Sequence, residues 1–109
     1  MVAEMLDRWA STGWRWTHIA SGELRDKVTA ARLKRMGVKP GWPDFILISN
    51  LGVPHFLELK RRRRTLSPAQ EEFARWCVET ALPHAVCDGF DKALAALKMW
   101  GALRVEASA

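Results

Sequence analysis

No stretch of this chain stays apolar for the roughly 18 residues that a bilayer-spanning helix needs. Its N-terminus also lacks the basic-then-apolar layout of a signal peptide. Both absences point to the cytoplasm and away from a membrane partner. Cysteine is scarce, with Cys77 and Cys87 in separate predicted elements. No second pair lies near them, so neither a zinc ligand set nor a disulfide framework can be built, and reduced, buried thiols are expected. Internal repeats and linker-like segments are missing too. At 109 residues the chain has room for one domain and one core. Extended disorder is excluded by a composition that is 49% hydrophobic and includes six Trp and four Phe.

What the chain has in excess is positive charge. Seventeen Lys and Arg stand against 12 Asp and Glu, for a net charge of +5. The sum decides little, but the distribution says more. Lys60-Arg61-Arg62-Arg63-Arg64 is an unbroken basic run directly after Glu58-Leu59. A basic block beside carboxylates suits a phosphate backbone with a divalent cation between them. An acidic protein partner fits less well, because Glu58 would repel it.

Periodicity and turn residues predict an α/β order. A short helix is expected over 3–11, with Met5, Leu6 and Trp9 on one side. A strand over 14–19 follows, then a helix from about Glu23 to Met36 with Leu24, Val28 and Ala31 on a shared face and Gly37 closing it. Gly41 and Pro43 bracket a turn into an apolar strand, Asp44–Ser49, expected to be central and covered on both faces. The turn at Asn50 and Gly52 makes a hairpin that runs from Asp44 to about Lys60. Ser67 as N-cap and Pro68 at N1 start the next helix, whose inward stripe is Phe73, Trp76, Cys77 and Thr80. A strand over 83–87 and a last helix carrying Phe90, Leu94, Leu97 and Trp100 complete a βαβ crossover and a mixed sheet.

The hairpin concentrates the chemistry. It brings the carboxylates of Asp44 and Glu58 together, and the Leu59 backbone carbonyl can add a third oxygen. Hard divalent cations such as Mg²⁺ prefer oxygen ligands of this kind, and they acidify water and bind phosphate oxygens. Lys60 shares the strand face of Glu58 and can serve the attacking water or the phosphate charge. Phe56, also in phase, closes the inner end of the pocket, while Leu57 and Leu59 are expected to pack on the other face. A Glu-Leu-Lys strand end also occurs as an ordinary edge pair. Asp44 weighs against that reading here, since a charge that begins a buried strand needs a partner.

At this point the chain resembles a known family. Gly41-Trp42-Pro43-Asp44-Phe45-Ile46-Leu47-Ile48, His55-Phe56-Leu57-Glu58-Leu59-Lys60 and Leu66-Ser67-Pro68-Ala69-Gln70 look like the VRR-NUC domain. That domain is a branch of the PD-(D/E)xK nucleases, here of the standalone phage or bacterial type. Ala30 to Lys34 and the last helix extend the resemblance over most of the chain. It implies a restriction-endonuclease-like fold, with a central mixed sheet flanked by helices. It also implies Mg²⁺ or Mn²⁺ at Asp44 and Glu58, and a catalytic Lys60. Gln70 matches a Gln that contacts the active site in the family, and it is equally placed to complete a capping box with Ser67. For the upstream carboxylate usual in such nucleases, Glu23 is preferred to Glu4, although a Glu opening a helix has a plain role there.

The function expected is a metal-dependent DNA endonuclease that selects structure, such as a Holliday junction or flap, over sequence. Arg61, Arg62, Arg63 and Arg64 are the first candidates for phosphate contacts, and Arg25 and Arg32 belong to a second patch with Lys34, Arg35 and Lys39. His18 and His55 lack ligand-like spacing and are read either as supports around the site or as structural residues. One site per small domain, and several Trp that a single core cannot house, favour a homodimer. The alternatives are a non-catalytic DNA-binding module, or a nuclease subunit of a larger phage or mobile-element complex.

Overall fold

The computed structural model describes residues 1–19, 26–61 and 64–104. In order, the elements are α1 (Val2–Trp9), β1 (Arg15–His18), α2 (Lys27–Arg35), β2 (Phe45–Ile48), β3 (Pro54–Leu59), α3 (Pro68–Glu79), β4 (His84–Cys87) and α4 (Phe90–Met99). The strands form one mixed sheet in the order β1-β2-β3-β4. β1 to β2 and β2 to β3 run antiparallel, while β3 and β4 are parallel and joined through α3. The expected hairpin and βαβ crossover are both present.

Alternation along the strands sends two sets of side chains to opposite faces. Phe45, Leu47, Leu57 and Cys87 meet Val2 and Leu6 of α1 and Ala93 and Leu97 of α4 in one core cluster. Each helix supplies residues four apart, the spacing of a single helix face. Leu57 is fully buried and Leu97 nearly so, and each such leucine contributes roughly 1.5–3 kcal/mol. His55 is buried between Trp14 and Trp100, with ring centroids 4.8 and 5.1 Å away, and its Nδ1 lies 2.9 Å from the Val53 carbonyl. Of the two roles expected for it, support around the site or structure, this is the structural one. On the opposite face Phe56 packs against Phe73 of α3 at 5.0 Å.

Cys77 and Cys87 are free and buried, as expected. Burial pushes both thiols up, so they are neutral and unreactive near pH 7. No helix among the described residues is long and apolar enough to cross a membrane.

Three expectations need correction. α2 opens at Asp26, whose side chain accepts from the Thr29 amide at 2.7 Å, and it buries no residue. Val28 and Ala31, expected on an inward face, are both exposed, and Leu24 lies outside the described residues. Leu59 is exposed as well, since it ends β3 where the cover from α1 and α4 runs out. In α3 only Cys77 of the expected stripe is fully buried. Trp76 remains 43% exposed, and the Thr80 hydroxyl is turned back onto the Trp76 carbonyl at 2.8 Å.

Candidate active site

Asp44 directly precedes β2, and one step beyond the paired Phe45 and Leu57 it stands opposite Glu58 on β3. The two residues are pinned reciprocally. The Asp44 amide donates to Glu58 Oε2 at 3.0 Å, and the Leu59 amide donates to Asp44 Oδ2 at 2.6 Å. The Asp44 carbonyl accepts from the Ile19 amide at 2.6 Å, which anchors the same residue to the end of β1.

Gln70 joins the pair from the first turn of α3. Its Oε1 accepts from the Ser67 amide at 2.8 Å, while Ser67 Oγ accepts from the Gln70 amide at 3.2 Å, completing the capping box. Its Nε2 donates to Glu58 Oε1. The sequence allows Gln70 both a capping role and a site contact in different states; here one amide with two ends performs both in a single conformation. The cap also decides which end faces Glu58, since only the oxygen can receive the Ser67 N–H.

Glu58 is 3% exposed, and its carboxyl is pushed up to about 8. Burial is the largest cause, followed by the charge of Asp44, whose carboxyl lies within hydrogen-bonding reach. Two carboxyl groups crowded together in this way favour a shared proton or a cation. The oxygen donors suit a hard divalent ion. Strand geometry adds a third oxygen: the Lys60 amide bonds the Cys87 carbonyl on the β4 side, so Leu59 directs its amide and its carbonyl toward the Asp44 side. The residues therefore fit Mg²⁺ or Mn²⁺.

The remaining candidates are arranged less tightly. Lys60 forms no ion pair with Asp44 or Glu58, and its amine donates to the Arg64 carbonyl at 3.3 Å. Glu4 is exposed on α1 and pairs with the N-terminal ammonium at 3.5 Å. No group of three or more His, Cys, Asp or Glu able to hold a metal is present among the described residues. Glu23, Arg25, Arg62 and Arg63 lie outside them. Arg61 and Arg64 are exposed just beyond β3, joined by an Arg64 N–H to Arg61 carbonyl bond of 3.0 Å, and Arg32 is exposed in the last turn of α2.

One contact had no signal in the sequence beyond the glycine itself. Gly41 takes φ +87°, and a Cβ there would lie 2.6 Å from the Ala69 backbone carbon and oxygen. The turn ahead of Asp44 is thus seated on the first turn of α3, one residue from Gln70. Neither a family profile, nor a curated protein, nor a solved structure matches this chain.

Proposed function

We propose that this chain is a Mg²⁺- or Mn²⁺-dependent DNA endonuclease of the VRR-NUC branch, with a restriction-endonuclease-like fold. The observation that carries the proposal is the reciprocally bonded Asp44–Glu58 pair, steadied by Gln70 at the open end of a mixed sheet. A structural carboxylate as buried as Glu58 would be expected to pair with a Lys or Arg, and Lys60 is bonded elsewhere.

Asp44, Glu58 and the Leu59 carbonyl would hold the cation. When bound, it supplies an acidified water and charge stabilisation for phosphodiester hydrolysis. Gln70 keeps Glu58 Oε1 oriented, and the Leu59 amide does the same for Asp44. Lys60 shares the strand face of Glu58, and its ammonium, released from the Arg64 carbonyl, would offset charge on the scissile phosphate. Arg61, Arg64 and Arg32 would track the backbone without reading bases. A single such site cuts one strand, so cleavage of both strands of a branched DNA calls for a homodimer.

The test is cleavage of linear, flapped and four-way-junction DNA by purified protein with Mg²⁺ or Mn²⁺. Binding without cutting under every metal would identify a non-catalytic module, and cutting only with a partner a subunit of a larger complex. Lys60→Ala is expected to lower turnover on saturating DNA by about 10²-fold while leaving affinity nearly unchanged. Unchanged turnover would remove Lys60 from the chemistry.

A further inference from the structure

Beside the carboxylate pair lies a groove of about 420 Å³ lined by Pro40, Trp42, Ala69, Glu72, Phe73 and Trp76. Phe73 stands between the two indoles, with ring centroids 5.0 Å from Trp42 and 5.5 Å from Trp76. Trp42 and Trp76 remain 39% and 43% exposed, although Phe56 behind them is buried. The groove and the site share their supports. Trp42 is two residues ahead of Asp44, and Ala69 is next to Gln70.

Charge divides the groove from its surroundings. Among the described residues, the one ionisable side chain in its lining is Glu72, an acceptor that repels phosphate. Cations stand outside it: Lys39 directly precedes the lining Pro40, and Arg75 lies between Glu72 and Trp76 along α3. Aromatic surface within, an acceptor at the wall and cations outside match a nucleotide whose base enters while its phosphates stay out. We infer that this groove receives an unstacked nucleobase of the DNA held at the Asp44–Glu58 site. The inference rests on the nuclease reading and deepens it, because a substrate must already present an unpaired base near the cut. Stacking on indole tolerates any base, while Glu72 favours those with an exocyclic amino group.

The test measures affinity in Ca²⁺, as a divalent ion that permits binding with little cutting, for a duplex with a short single-stranded flap. A matched duplex carries an abasic residue at the first unpaired position. The parent protein is expected to bind the intact flap about 10-fold tighter than the abasic one. Trp76→Ala should lose that factor and become indifferent to the missing base, while Trp76→Phe should keep most of it. Equal losses by Trp76→Ala on both duplexes, or none on either, would overturn the inference. So would a change in sedimentation mass on Trp76→Ala, which would give the groove to a second copy. Intact metal-dependent cutting with no base effect sinks the groove alone. Base-dependent binding with full cutting by an Asp44→Asn variant sinks the metal site alone.

Discussion

Asp44→Asn is expected to reduce metal-dependent cleavage by about 10³-fold or more while making the metal-free protein more stable at alkaline pH. The opposite signs follow from one geometry. Asn keeps an oxygen for the Leu59 amide and turns an N–H₂ toward Glu58, replacing repulsion by a hydrogen bond. The cation loses a charged ligand in the same step. The parent protein has its own pH dependence. Folding raises the Glu58 carboxyl from 4.5 to about 8, so the folded state keeps a proton that the unfolded chain has released. Its stabilising contribution is complete below pH 4.5 and is lost as pH rises through about 8. The slope over that window is at most about 1.4 kcal/mol per pH unit. Asn should flatten this slope without abolishing it, because burial is the larger cause and remains. Saturating Mg²⁺ should reverse the trend, since it binds the ionised pair and expels the proton. Urea melts across the pH window, with and without Mg²⁺, read all three effects. A parent stability that does not fall toward pH 8, or an Asn variant with normal turnover, would contradict this account of the site.

The second large effect is expected from a single methyl group. Gly41→Ala places a Cβ 2.6 Å from the Ala69 carbonyl, on a residue already at φ +87°. Neither contact is the tip of a flexible side chain, so the turn must lift from α3. The combined clash and left-handed strain should cost about 2–3 kcal/mol, or roughly 10 °C in Tm for a domain of this size. The protein that still folds should turn over about 10²-fold more slowly, because the segments carrying Asp44 and Gln70 are pushed apart. Gly52 supplies the control. It has φ +80° with nothing within 4 Å of a built Cβ, so Gly52→Ala should cost only about 1 kcal/mol and spare turnover. If the two variants behave alike, the Gly41–Ala69 contact has no special part in the site.

Features set by neighbouring residues were legible in the sequence. The Asn50–Gly52 turn dictates the hairpin, and the hairpin places Asp44 opposite Glu58. Ser67, Pro68 and Gln70 state where α3 begins. Other features depend on where the covering layers end. Alternation puts Leu59 on the face of Leu57, but cannot show that α1 and α4 stop short of it. Helical spacing groups Val28 with Ala31, but whether that face meets a sheet depends on tertiary packing, which spacing does not set. The seat of Gly41 on Ala69 joins segments far apart in sequence, and a turn glycine gives no sign of its neighbour. The resting bond of Lys60 to the Arg64 carbonyl is likewise a choice among partners at a strand end, where periodicity no longer constrains the side chain.

The shared amide of Gln70 has a consequence for motion. Its oxygen closes the first turn of α3 and its nitrogen steadies Glu58, so neither contact can be released without the other end feeling it. When Glu58 ionises, the donated bond gains charge and draws the amide toward the strand. The turn at Ser67 then tightens or loosens with the protonation of a residue on the sheet. Amide hydrogen exchange at Ser67 becomes a clock for events at Glu58, slowing or quickening as the carboxyl gives up its proton. A helix cap, ordinarily a local matter, here carries news between the middle layer of the molecule and one of its outer helices.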